Sequence, residues 1–147
     1  MSTESEITII GGGPGGYVAA IRAAQMGADV ALVEKENVGG TCLNWGCIPT
    51  KALVRSAEVY DNLENAKDFG CEVENVSLNM RRVMSRKKKI VRRLVKGVEY
   101  LLKKNDVNLI EGTAEIPDKN TVRVKGEEET EIKSDNIIIA TGSKPSE

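Results

Sequence analysis

Glu6-Ile7-Thr8-Ile9-Ile10 is a β-branched run that stops at a glycine cluster, and Gly11-Gly12-Gly13-Pro14-Gly15-Gly16 follows it with G-x-G-x-x-G spacing. This pattern narrows the folds open to the chain, because each glycine answers a steric demand of a buried strand that turns directly into a helix. The first permits the tight turn, the second lets a pyrophosphate approach the backbone, and the third lets the helix pack closely on the strand. Residues 17–26 are predicted helix, with Ala19, Ala20, Ala23 and Ala24 small enough for that packing and Gly27 as C-cap. Residues 29–34 read as a second strand ending in Glu34, near the ~20-residue offset at which a carboxylate can accept hydrogen bonds from a ribose. The competing reading is a glycine-rich turn without a ligand. The sequence of strand, glycines, alanine-rich helix, strand and terminal acid argues against it.

The second informative stretch is Gly39-Gly40-Thr41-Cys42-Leu43-Asn44-Trp45-Gly46-Cys47-Ile48-Pro49-Thr50-Lys51. Its two cysteines can close as a disulfide or stand open as two thiols, and Trp45 between them can shield the pair or simply pack. A helix is predicted over about residues 50–66, with Leu53, Ala57, Tyr60 and Leu63 near helical spacing. Cysteines at or just before a helix N-terminus have lowered pKa values, so thiolate becomes available near neutral pH. A Cys-x4-Cys pair alone is a weak signal: most such pairs are core thiols, and two sulfurs cannot complete a zinc site. No metal site is therefore expected. The chain has no histidine, which removes the commonest zinc ligand and general base.

With 147 residues, 40% hydrophobic and 29% charged, and a formal net charge of -1, the chain is expected to be one ordinary globular domain with a core of its own. One Phe and one Trp leave that core to aliphatic residues. The polar, acidic opening is unlike a secretory signal and no apolar run is long enough to span a bilayer, so a cytoplasmic location is expected. In that reducing compartment a cysteine pair reads as catalytic or metal-binding rather than structural.

Residues 69–73 read as a turn with a short extended piece, and Cys71 as a small packed residue. The longest helix is predicted over residues 79–105, with Val83, Ile90, Leu94, Val98 and Leu101 as its apolar stripe. Its other side carries Arg81, Arg82, Arg86, Lys87, Lys88, Lys89, Arg92, Arg93 and Lys96. Such a face can mark a nucleic-acid binder. With no aromatic platform beside it, it reads as a solvated face, and no nucleic-acid or membrane partner is expected. Residues 107–111 resemble a third core strand. Residues 121–125 and 130–133 alternate as an exposed hairpin within a small antiparallel meander around 114–134. Residues 136–140 form another apolar strand before Thr141-Gly142-Ser143-Lys144-Pro145.

Taken together, Gly11 to Gly16, Glu34, Gly39 to Lys51 and Ala140 to Pro145 resemble the class I flavin-dependent pyridine nucleotide-disulfide oxidoreductases. The cysteine stretch is most similar to the dihydrolipoamide dehydrogenase branch. Glutathione and mercuric reductases, the nearest alternatives, commonly carry Val-Asn and Cys-Val-Pro where this chain has Leu43-Asn44 and Cys47-Ile48-Pro49. The fold implied is α/β, a Rossmann-like FAD-binding domain whose parallel sheet is flanked by helices, with a small antiparallel β-meander. Residues 1–147 would form the N-terminal part of that domain, without the NAD and dimerisation domains of such enzymes.

The resemblance also implies roles. The glycine loop, with Gly11, Gly13, Pro14 and Gly16, would hold the FAD pyrophosphate and Glu34 the adenosine ribose. Lys35, Gly40 and Thr41 would line the cofactor, Ala114 would offer its backbone to the adenine, and Thr141, Gly142 and Ser143 would pass beside it. Cys42 would be the interchange thiol, Cys47 the charge-transfer thiolate against the flavin, and Lys51 a stabiliser of negative charge near flavin N5. Dihydrolipoamide on a lipoyl-carrying protein would be the substrate, NAD the final acceptor, and the complete enzyme a homodimer. The chain alone, lacking the histidine base of the family, is expected not to turn over. A reading of a different class is a non-catalytic nucleotide-binding module whose cysteines regulate.

Overall fold

A computed structural model describes residues 2–144 and 146 of the chain; Met1, Glu147 and the Pro145 of the closing motif lie outside the described residues. The first strand, β1 (Ser2–Ile10), runs into Gly11, and α1 (Pro14–Gln25) begins with proline at its start, where a missing N–H costs nothing. Then come β2 (Val30–Glu34), the short α2 (Gly40–Asn44), α3 (Cys47–Glu64) and a 3-10 helix (Ala66–Phe69). The long α4 (Met80–Lys104) is capped by Asn79, whose side chain accepts from the Arg82 N–H at 3.1 Å. Strands β3 (Asn108–Glu111), β4 (Thr113–Asp118), β5 (Thr121–Lys125) and β6 (Glu129–Ile139) follow.

These six strands form one sheet in the order β3-β2-β1-β6-β5-β4. The first four are parallel neighbours, with Ile9 opposite both Leu32 and Ile138; β6, β5 and β4 are antiparallel. Alternation along β2 separates two cores. Val30 and Leu32 pack with Ala20 of α1 and with Val98 and Leu102 of α4. Ala31 and Val33 pack with Val122, Val124 and Ile132. Because β1 and β6 lie between β2 and β5 in the sheet, this second contact requires the sheet to curl until the meander covers the face opposite the helices. The α/β fold with a mainly parallel sheet and an antiparallel β-meander thus agrees with the sequence, while the helices of the core sit on one face and the meander on the other.

Several local expectations need correction. Residues 130–133 and 136–140 are not two strands: apart from Ala140, which follows it, both belong to β6, and the polar Ser134-Asp135 step lies inside it. Ser134 is buried, its N–H donates to Asn120 O at 2.8 Å, and its hydroxyl donates to Asn136 O at 2.9 Å. Satisfied in this way, the step continues the strand and extends its pairing with β1 down to Ser2. On α3 the inward residues are Pro49 and Ala52, while Leu53, Ala57 and Leu63 are exposed. The helix approaches α4 closely at its small side chains: Arg86 Nη1 donates to Ala52 O at 2.8 Å and lies 3.3 Å from the Ser56 hydroxyl. On α4, Val98 of the expected stripe is buried, but at its end Leu102 is buried and Leu101 exposed. Cys71 is an exposed free thiol rather than a packed residue, because the segment after the 3-10 helix runs over the surface. Tyr100 is 63% exposed, an aromatic ring one turn beyond Lys96.

Gly97, within α4, has open space where a Cβ would stand and a helical backbone. Gly97→Ala is expected to stabilise the domain by about 0.5–1 kcal/mol, chiefly by restricting the unfolded chain. Thermal unfolding checks it: the midpoint should rise by about 2–4 °C.

Candidate functional site

The parallel order brings the carboxyl ends of β1, β2 and β6 together, and β1 is where the chain's connections change direction: α1 leads from it to β2, whereas its other neighbour β6 arrives through the meander. Ligand crevices of open α/β sheets form at such a switch point. A cleft of about 720 Å³ lies there, bounded by the Gly11–Gly15 turn after β1, Glu34 to Asn37 after β2, Gly40 to Cys42 and Trp45 around α2, and Ala140 to Lys144 after β6.

The ends are stitched by main-chain bonds: Gly11 N–H donates to Val33 O and Ala140 N–H to Ile10 O, each at 2.8 Å. Gly11 has φ of 107°, and a Cβ there would overlap the Ala140 carbonyl. A Cβ at Gly16 would overlap Gly11 O, so the third glycine does allow α1 to sit on the turn. Gly13 differs. The nearest group to a Cβ there is Gly40 Cα at 3.8 Å, so the bare Gly13 backbone faces the cleft. The first turn of α1 carries neither a side-chain cap nor an acid, which leaves its N–H groups and the positive end of the helix dipole for an anion.

Glu34 borders the cleft with both carboxylate oxygens held. Oε2 accepts from Gly12 N–H at 2.7 Å and Oε1 from Glu36 N–H at 2.9 Å. Each oxygen keeps lone pairs for further donors such as ribose hydroxyls. The residues thus suit a dinucleotide: uncapped N–H groups and bare glycine for its phosphates, a fixed carboxylate for a ribose.

The cysteines are attached to this same turn. Gly39 N–H donates to Gly12 O at 2.7 Å, and a Cβ on Gly40 would stand 2.8 Å from Gly13 Cα, so α2 meets the glycine turn backbone to backbone. Asn44, for which the sequence suggested no role, braces the loop: its Nδ2 lies 3.1 Å from both Val38 O and Gly40 O. Cys42 in α2 and Cys47, first residue of α3, form a disulfide with their Cα atoms 4.7 Å apart. Thr41 O, just before Cys42, accepts from the N–H groups of Trp45 (2.9 Å) and Gly46 (2.7 Å), closing a tight turn between the cysteines.

Of the residues expected at the site, Gly11, Gly13, Pro14, Glu34, Lys35, Gly40, Thr41, Cys42, Thr141, Gly142 and Ser143 line the cleft. Gly16 lies beneath the turn. Cys47 and Lys51 stand beyond the lining, both exposed on the first turns of α3. Ala114 pairs with Val124 in the meander and packs into the second core, away from the lining. Gly15, Glu36, Asn37, Trp45, Ala140 and Lys144 also border the cleft without having been named as ligands; their proximity to the motifs in sequence was the available signal. Among the described residues no group of three or more His, Cys, Asp or Glu side chains could hold a metal ion, and no helix is long and apolar enough to cross a membrane.

Known proteins are similar to this chain in sequence and in fold. Dihydrolipoyl dehydrogenase of Acholeplasma laidlawii is 53% identical over 97% of this chain and 42% of its own length. The enzymes of that name from Bacillus subtilis and Geobacillus stearothermophilus are each 48% identical, over 99% and 100% of this chain but 33% and 32% of their own. The chain therefore spans about a third to two-fifths of the curated relatives it matches. Among solved structures, the Cu(II) complex of the HOCl-induced flavoprotein disulfide reductase RclA from Escherichia coli superposes with a TM-score of 0.79 at 31% identity, over 95% of this chain and 29% of that one. The pyridine nucleotide-disulphide oxidoreductase family model matches residues 5–147, and with the nucleotide cleft and its attached disulfide in place, the chain belongs to that family.

Proposed function

We propose that residues 1–147 form the N-terminal part of the FAD-binding domain of a dihydrolipoamide dehydrogenase, a flavoprotein that oxidises dihydrolipoamide to lipoamide and delivers the electrons to NAD. The observation that carries this reading is the coupling of a dithiol switch to a dinucleotide cleft: Cys42 lines the cleft, is bonded to Cys47, and sits on an element fastened to the glycine turn.

In this reading Gly11, Gly13, Pro14 and Gly16 shape the pyrophosphate cradle and Glu34 holds the adenosine ribose. Lys35, Gly40, Thr41, Thr141, Gly142 and Ser143 line the remainder, while Ala114, in β4 and off the cleft lining, would meet the adenine end through its backbone alone. A substrate thiolate attacks Cys42 Sγ; the Cys42–Cys47 bond breaks and its electron pair stays on Cys47. The second substrate thiolate then attacks the substrate sulfur of the mixed disulfide, releasing lipoamide and the Cys42 thiolate. The N-terminus of α3 favours the anion on Cys47, and Lys51, one turn on, adds a positive charge beside it. Bound FAD supplies the two-electron acceptor that restores the disulfide, with NAD as final acceptor. The complete enzyme works as a homodimer in the reducing cytoplasm, taking its substrate from a lipoyl-carrying protein of a multienzyme complex. Residues 1–147 by themselves do not turn over the substrate.

Titration of the chain with FAD, followed by flavin fluorescence and by the visible spectrum before and after dithiothreitol, tests the assignment. Saturable quenching with a new long-wavelength shoulder on reduction is the expected result. Binding without any spectral response of the flavin to reduced Cys47 would favour a nucleotide-binding module whose thiols regulate.

A further inference from the structure

Between Asn79 and Val98 the chain carries no acid, and α4 gathers most of its cations on one side, Lys87 and Lys88 lying outside it. At 3.6 residues per turn, Arg81, Arg92, Lys96, Lys89, Arg82 and Arg93 fall within an arc of about 120°. All six are exposed, and none has an ion-pair partner among the described residues. The placement opposes helix stability. Arg81 and Arg82 stand in the first turn, where the helix dipole disfavours positive charge, and Lys89–Arg93 and Arg92–Lys96 are like-charged pairs four residues apart. Helix formation does not explain the pattern, and neither does the core, which uses the opposite side through Val98 and Leu102.

The location of the face narrows what it serves. Arg86, one helical turn from Arg82, donates to Ala52 O at 2.8 Å, and Ala52 lies little more than a turn along α3 from Cys47. The cationic side therefore extends from the helix that presents the disulfide. We infer that this face of α4 docks an acidic protein surface, that of the carrier on which the dithiol substrate is borne; the inference rests on the proposed dihydrolipoamide reading. The one exposed ring on this face of α4 among the described residues, Tyr100, is not the succession of stacking surfaces that single-stranded nucleic acid requires. Docking on α4 holds a tethered dithiol near Cys42–Cys47 and raises its local concentration, with no change in the chemistry that follows.

The test compares the complete protein with an Arg82→Glu/Lys89→Glu/Arg93→Glu variant, using two substrates: free dihydrolipoamide and a reduced lipoyl domain of net negative charge. The expected result is a KM for the lipoyl domain raised at least about tenfold, and a loss of its salt dependence, with kcat and the KM for free dihydrolipoamide unchanged. Equal effects on both substrates, or none on either, overturn the docking surface. Should wild-type protein oxidise neither substrate, the dihydrolipoamide reading itself fails. Calorimetric titration with the oxidised lipoyl domain then still decides docking: unweakened binding by the variant overturns it. Tighter binding of duplex oligonucleotide or phosphatidylserine vesicles than of the lipoyl domain at the same salt also overturns it.

Discussion

Cys42→Ser or Cys47→Ser in the complete enzyme is expected to lower dihydrolipoamide oxidation by more than about a thousandfold, as removal of an obligatory nucleophile does elsewhere. The two variants should differ in colour. The bond between these residues joins α2 to the first residue of α3, and the turn between them is closed by two donors on Thr41 O, so the pair is held as one exchange unit. A hydroxyl at either position can neither form nor release a disulfide, hence the equal kinetic loss. The spectral difference follows from the proposed roles, in which Cys47, at the positive end of an 18-residue helix, would be the thiolate that interacts with the flavin, and Cys42 the one that exchanges with substrate. Reduced Cys42→Ser should keep the long-wavelength absorbance and reduced Cys47→Ser should lose it. Stopped-flow spectra on both variants, beside steady-state rates, check the pair of statements. Full turnover by Cys42→Ser, or loss of the band in that variant rather than in Cys47→Ser, would reverse or remove the roles proposed here.

What could be read from the sequence was set by local sterics. G-x-G-x-x-G after a β-branched run specifies a strand, a positive-φ turn and a helix within about a dozen residues, and the structure has them at Ser2–Ile10, Gly11 and Pro14–Gln25. The limits of α4 were legible for a similar reason, since Asn79 caps it and Asn105 closes it. The neighbourhood of the cleft was legible too, because its lining comes mostly from the segments that directly follow β1, β2 and β6.

What escaped depends on contacts distant in sequence. Ser134-Asp135 has the composition of a turn, and only the Asn120 backbone and side chain, which satisfy Ser134 from the turn between β4 and β5, make it part of β6. Periodicity assigned Leu53, Ala57 and Leu63 inward, but the close approach of Arg86 to Ala52 determines which side of α3 faces α4. Hydrophobicity likewise does not say that the second face of β2 will be covered by β5, three strands away in the sheet. The distance of Ala114, Cys47 and Lys51 from the cleft lining is of the same kind, for sequence order carries no depth.

Gly11→Ala is expected to destabilise the domain by about 2–5 kcal/mol, a large part of the 5–15 kcal/mol typical of a domain, and to weaken FAD binding more than tenfold. Two independent penalties add here. The backbone has φ of 107°, where an L side chain is strained, and the new methyl would overlap the Ala140 carbonyl while its other neighbours, Ala140 C and Thr141 Cα, stand 2.7 Å and 3.0 Å away. All of these are main-chain atoms of the segment that follows β6, so relief requires moving that segment away from β1. The movement opposes the Ala140 N–H bond to Ile10 O and widens the cleft where Thr141, Gly142 and Ser143 border it, which is why binding should suffer with stability. Gly97→Ala makes the same chemical change in open space and should act with the opposite sign, so the pair separates steric demand at the turn from any general effect of replacing glycine. Chemical denaturation and FAD titration of both variants provide the comparison. A Gly11→Ala protein as stable as the wild type, with unchanged affinity for FAD, would mean that the β1 turn and the segment after β6 are not held together as described.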